Sequence, residues 1–120
     1  FQYYLKHVLR NKSKLKKKMS SGDTNGEKIY NHMWGASEFE PTGTLKSFDR
    51  LADLSRVKIP SLIICGQYDE ATPETGLRYA NRIKDCSFEV IDDASHSIWA
   101  ERPARIRRVV NTFLEKVDRI

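Results

Sequence analysis

The chain has 120 residues, room for one domain with a modest core. Apolar residues make up 39%, charged residues 31%, the mean hydropathy is −0.60 and the net charge is +5. No run of 18 apolar residues occurs, so no transmembrane helix is predicted, and the first residues show no secretory pattern.

Phe1–Met19 carries Tyr4, Leu5, Val8, Leu9 and Leu15 at approximately helical spacing, which predicts a helix with a basic opposite face. Lys6, Arg10, Lys12, Lys14, Lys16, Lys17 and Lys18 supply that face with no acid among them. Such a cluster can contact phosphates or acidic lipids; the plainer reading is the solvated face of a larger domain. No aromatic residue interleaves the lysines, which argues against nucleic acid as a partner. Residues 20–26, Ser-Ser-Gly-Asp-Thr-Asn-Gly, have the composition of a flexible linker. Glu27–Trp34 then reads as a short helix closed by Gly35. Glu38–Thr44 is irregular, and Leu45–Leu54 contains a helical turn with Leu51 and Leu54 facing inward.

From there the pattern changes. Val57–Cys65 is a predicted strand, with Pro60 near its start. Thr72 is a good N-cap and Pro73 suits the first helical position, which predicts a helix to about Ile83 burying Leu77, Tyr79 or Ala80, and Ile83. Phe88–Ile91 is a second strand and Asp92–Trp99 a loop with room for a helical turn. Ala104–Val117 is a last helix, with Ile106, Val109, Val110, Phe113, Leu114 and Val117 on one face. Strand, helix, strand, helix with crossover-length connections predicts a parallel pair. Two parallel strands cannot cover themselves, so residues 45–120 read as the last two βα units of a larger doubly wound sheet. Residues 1–44 read as the end of a helical unit in front of it. Phe1 is not an initiator methionine, and a fragment or processed product is expected.

Cys65 and Cys86 do not make a disulfide framework, and Cys65 sits in an apolar strand as a small hydrophobe. A reducing, cytoplasmic setting is expected. Neither cysteines nor histidines are spaced for zinc, and no metal is implied.

The chemistry-bearing residues follow the strands. Gly66-Gln-Tyr-Asp-Glu-Ala-Thr-Pro73 comes after the first, and Ala94-Ser-His96 after the second. In open α/β sheets, catalytic groups sit beyond the carboxyl ends of strands. Asp69 there can accept a hydrogen bond from an imidazole and fix its tautomer, and His96 is its candidate partner. An acid and a histidine so placed match two members of a Ser-Asp-His triad in the chain order of an α/β-hydrolase; the plainer reading is a turn aspartate and a solvated histidine. The Gly-x-Ser-x-Gly that would supply the nucleophile does not occur in the chain. Glu70, next to Asp69, points elsewhere, either into a substrate cleft or to solvent. His7 and His32 read as ordinary helix residues.

Tyr30-Asn-His-Met-Trp-Gly-Ala-Ser-Glu-Phe39, Pro41-Thr-Gly-Thr-Leu45, Gly66-Gln-Tyr-Asp-Glu-Ala-Thr-Pro73 and Ala94-Ser-His96 together resemble the proline iminopeptidases, prolyl aminopeptidases of the α/β-hydrolase superfamily. The likeness runs from about Ile29 to Val117. It implies the C-terminal part of an α/β-hydrolase, with 1–44 as the end of a helical cap and 45–120 as part of the core. It implies Asp69 as the triad acid and His96 as the general base. It makes Glu38 and Glu70 the acids that bind the free α-amino group of the substrate, a task that suits charge-assisted hydrogen bonds. Tyr30 becomes a cap tyrosine near that pocket, and Trp34 and Phe39 either line a slot for the proline ring or form cap core.

The resemblance implies a serine aminopeptidase releasing N-terminal proline from peptides, with no metal or organic cofactor and no membrane. The nucleophile and oxyanion loop lie outside this sequence, so the chain alone is expected to be inactive and to need the missing N-terminal part of the hydrolase as a partner. Two other readings stay open at this point. One is a different α/β-hydrolase, an esterase, amidase or epoxide hydrolase, which has no need of an ammonium clamp. The other is a truncated, non-catalytic paralogue acting as a binding module through its basic stretch.

Overall fold

A computed structural model describes residues 1–20 and 24–119. At its centre two strands, β1 (Ser61–Gly66) and β2 (Cys86–Ile91), pair in parallel, with Ser61 opposite Cys86 and Gly66 opposite Ile91. This is the predicted parallel pair. β1 is shorter than the sequence suggested, because Pro60 lacks the N–H a ladder needs and the strand begins just after it. The same register separates the two cysteines. Cys65 lies opposite Val90, four residues along from Cys86's position, or about 13 Å. That is well beyond disulfide reach, and both thiols are free.

The crossover contains α4 (Pro73–Ala80). Thr72 caps it through Oγ1, which accepts the Thr75 N–H at 3.3 Å, and Pro73 occupies the first turn. The helix ends three residues early: Arg82 and Ile83 donate to Tyr79 and Ala80 in tighter turns. Its buried residues are Gly76 and Ala80; of the two alternatives Tyr79 or Ala80 it is Ala80 that is covered, while Leu77 is exposed, contrary to the burial read for it. A short helix laid on a two-stranded sheet meets it along one narrow stripe, and small residues occupy that stripe.

After β2 come a loop, a single helical turn, α5 (Ile98–Glu101), and the long α6 (Pro103–Val117). Ile91, Ala94, Ile98, Ile106 and Val109 form the core cluster, with Leu62, Ile64 and Val110 packed against it. The predicted apolar face of α6 is therefore buried at its first two turns; Leu114, farther along, is exposed.

The N-terminal segment departs most from expectation. The single helix predicted over Phe1–Met19 is two, α1 (Gln2–His7) and α2 (Lys12–Ser20). Tyr4's carbonyl takes both the Val8 and Leu9 N–H groups, and the His7 and Val8 carbonyls turn outward to accept from His96 and Ser97. The corner buries Val8, Leu9 and Leu15, three of the five apolar positions read from the pattern. The linker read at 20–26 crosses residues 21–23, which lie outside the described part; from Thr24 the chain is helical again in α3 (Thr24–Met33). Gly35 follows that helix at φ +131, backbone that side chains resist, and serves as the predicted stop. Residues 42–45 then fold back, their N–H groups taking the carbonyls of His32, Met33 and Trp34. A 3-10 turn, Leu51–Arg56, leads into β1 with Leu51 and Leu54 partly buried.

Candidate active site

β1 and β2 end side by side, and the loops that leave them meet above those ends. Gly66 makes this meeting possible. A Cβ at that position would stand 2.4 Å from the Ser95 carbonyl oxygen and 2.6 Å from that of Ala94, so only a bare backbone lets the second loop cross so closely. The two loops are laced together: the Gln67 N–H donates to Ile91 at 3.0 Å, the Tyr68 N–H to Ala94 at 2.9 Å, and the Asp93 N–H to Gln67 Oε1 at 2.9 Å.

Asp69 lies in this crossing, its side chain 5% exposed. A buried carboxylate needs donors. The Gly66 N–H reaches Oδ2 at 3.3 Å and the Ala71 N–H reaches Oδ1 at 3.0 Å. The His96 imidazole adds a third: Nδ1 lies 2.9 Å from Oδ1. An acceptor-only carboxylate facing Nδ1 selects the tautomer with the proton on Nδ1, which leaves the lone pair on Nε2. The His96 side chain is 54% exposed, so that lone pair is on the open side. The pair can thus take a proton from a group brought to Nε2, with Asp69 holding the ring and balancing the charge that forms. Near the foot of the pair, burial and, after it, the Asp69 charge push the Cys65 thiol up from its ordinary value, which makes it a poor nucleophile.

The other predicted site residues gather beside this pair, around α1. Tyr4 donates its hydroxyl to Glu38 Oε2, and Tyr3's hydroxyl lies 3.5 Å from Glu70 Oε2. Phe39 stands edge-on to both tyrosines, with ring centroids 5.3 Å and 6.3 Å away. The bond to Glu38 pushes the Tyr4 hydroxyl up to about 12. Tyr3 is raised by desolvation and then by Glu70, with smaller pushes from Glu38 and Asp69. Tyr30 is raised by desolvation and then by Glu38 and Glu70. Glu38, Glu70, Tyr30 and Phe39 therefore share one neighbourhood, with two carboxylates and an aromatic wall. Trp34 is placed differently. It is half-buried, and its indole N–H donates to the Glu38 carbonyl at 3.0 Å, which fixes the turn that carries that acid.

Several contributors were invisible in the sequence. Tyr3 and Tyr4 are adjacent aromatics on a helix, a pattern with no signature of its own. His7, read as an ordinary helix residue, places Nδ1 2.8 Å from the Tyr68 carbonyl, and the Arg10 guanidinium sits 4.3 Å over the Tyr68 ring. Arg10 and Arg102 both pair with Asp93, in the turn after β2 where Asp93 adopts φ 52. Among the described residues no three His, Cys, Asp or Glu side chains are grouped to hold a metal ion, and no helix is long and apolar enough to cross a membrane.

Known proteins similar to this chain fall in one family. The chain is 40% identical over 97 residues to the proline iminopeptidase of Heyndrickxia coagulans, a match covering 81% of this chain and 33% of that protein. It is 28% identical over 116 residues to that of Saccharolobus solfataricus, covering 96% and 37%. The crystal structure of proline iminopeptidase from Mycobacterium smegmatis superposes with a TM-score of 0.82 at 30% identity, over 98% of this chain and 40% of that one. The chain thus spans about a third of the length of the curated relatives it matches. No protein-family model matches it.

Proposed function

This chain belongs to the proline iminopeptidase family of α/β-hydrolases, as a stretch about a third as long as its relatives, and we propose that it carries the acid–base half of a serine aminopeptidase acting on N-terminal proline. In this reading residues 1–44 are the end of the cap domain and 45–120 part of the hydrolase core. The Nδ1–Oδ1 contact of 2.9 Å between His96 and Asp69, beyond the ends of two parallel strands, is the observation that carries it. His96 is the general base: Nε2 takes the proton of a serine hydroxyl supplied from outside this sequence, and later gives it to the leaving amine. Asp69 orients the ring. Glu38 and Glu70 bind the substrate's ammonium. A protonated N-terminal proline is a secondary ammonium with two N–H donors, and two carboxylates offer one acceptor each. Phe39 and Tyr30 form the apolar side of that pocket, and Trp34 supports it through the Glu38 backbone. Cytoplasmic placement belongs to the same proposal, supported by the two unbridged thiols.

Because the chain holds no Gly-x-Ser-x-Gly, it is inactive alone in this reading. The test is complementation. The 120-residue chain is mixed with a separately expressed nucleophile-bearing portion of a proline iminopeptidase and assayed on prolyl-β-naphthylamide and on short acyl esters. Amide cleavage is expected only in the mixture and is lost in His96→Ala. Glu38→Gln or Glu70→Gln should raise KM for the prolyl amide and leave ester cleavage unchanged. Ester preference that ignores both glutamates would replace the aminopeptidase reading with a general esterase one.

A further inference from the structure

Three successive backbone N–H groups around His96 each have their own acceptor. Ser95 donates to Glu101 Oε2 at 2.6 Å, His96 to the His7 carbonyl at 3.0 Å and Ser97 to the Val8 carbonyl at 2.8 Å. The Ser95 hydroxyl also donates to Glu101, to Oε1 at 2.9 Å. Ser95 is wholly buried, so both of its donors must be satisfied inside the protein. Glu101 satisfies both from the end of α5, and it also accepts the Arg10 backbone N–H at the α1–α2 corner. One carboxylate therefore joins the histidine loop, α5 and the N-terminal corner. Its two oxygens suit three donors; a glutamine would keep one acceptor oxygen and turn an NH2 group toward the rest.

We propose that Glu101 is a positioning residue for His96, its carboxylate gripping both donors of Ser95 and the Arg10 N–H so that the loop aims the imidazole at Asp69. The inference rests on the reading of Asp69 and His96 as the catalytic pair. The mechanical logic is direct. His96 is largely exposed, so packing does not hold its ring; the backbone on either side does. Without Glu101 the loop keeps its links to His7 and Val8 and the Tyr68–Ala94 bond but loses both holds on Ser95, and the ring can leave the 2.9 Å contact. A misplacement of about 1 Å near reacting atoms can cost on the order of 100-fold in rate.

The deciding measurement is the tautomer of His96, read from imidazole 15N signals of the full 120-residue chain above the titration of the ring. The wild type is expected to show the Nδ1-protonated form, and Asp69→Asn to lose that bias. Glu101→Ala should shift the ratio toward that of free histidine, with Glu101→Gln between the two and Ser95→Ala shifted less in the same direction. A purely structural role would lower the melting temperature and leave the tautomer of the folded molecules alone. A folded Glu101→Ala chain with the wild-type tautomer overturns the proposal; if that variant does not fold, wild-type ratios in both Glu101→Gln and Ser95→Ala do so. Absence of any bias in the wild type would instead remove the catalytic-pair reading itself. In the complemented enzyme the same substitution is expected to lower kcat roughly 10- to 100-fold with KM little changed.

Discussion

A phenol that gives its hydrogen to a carboxylate holds that proton longer, and Tyr4 is the clearest instance. Its hydroxyl is pushed up to about 12, first by the bond to Glu38 and then by desolvation. The folded value lies above the unfolded one near 10, so the contact's contribution to stability is complete below pH ~10 and is lost as pH rises through about 12. Phenolate absorbance of the chain, with folding followed by circular dichroism, should show Tyr4 as the last tyrosine to titrate, near 12. That component should vanish in Tyr4→Phe and move back toward 10 in Glu38→Gln; an unmoved Tyr4 in Glu38→Gln would show that the two do not touch in solution. At this scale legibility followed local context. Asp69 and His96 could be read because each stands just past an apolar strand. Tyr4, Tyr3, His7 and Arg10 could not, because their partners lie 34, 67, 61 and 91 residues away in sequence. No local pattern encodes a partner at that distance.

Elements were legible where their signals are local. α4 shows this most simply: Thr72 followed by Pro73 marks a helix start, and the structure begins the helix there. With only eight residues the helix cannot carry its own nucleation cost, so its first turn depends on the cap. Thr72→Ala removes the acceptor of the Thr75 N–H and is expected to cost about 1 kcal/mol. Chemical denaturation should show this as a lower midpoint with an unchanged slope; Thr72→Ser, which keeps an oxygen, should recover most of it. An alanine variant as stable as the wild type would mean the Thr75 N–H is satisfied by water. Elements were illegible where tertiary contacts decide. The Phe1–Met19 pattern is nearly continuous, yet the chain breaks after His7 because the His96 and Ser97 N–H groups claim the carbonyls of His7 and Val8. In the same way the apolar pattern of α6 promised a buried Leu114, which is exposed, while Ile106 and Val109 are buried and Phe113 and Val117 partly so.

Over the whole molecule the balance shifts from local order to missing cover. A 120-residue globular domain has a radius of gyration of about 14 Å, and this chain has 16.4 Å. The excess matches the architecture. A parallel pair of strands normally has helices on both faces and further strands at its edges. Here Ile59 and Phe48 are 70% and 68% exposed, Leu77, Tyr79 and Leu114 are exposed as well, and Phe48, Leu51, Leu54 and Tyr79 line an open apolar hollow. Scattered apolar residues are ordinary on a surface; several around one hollow are a site of association. The chain by itself is therefore expected to bind a hydrophobic dye and to sediment as a concentration-dependent mixture of species. Adding the nucleophile-bearing portion should suppress both effects, in the same titration that restores amide cleavage. The two readouts separate cover from chemistry. Suppressed dye binding without activity would mean that the faces meet but the His96 loop is not aligned. A monodisperse chain that binds no dye at any concentration would mean that these apolar faces are covered by the chain itself, and the need for a partner would fall with it.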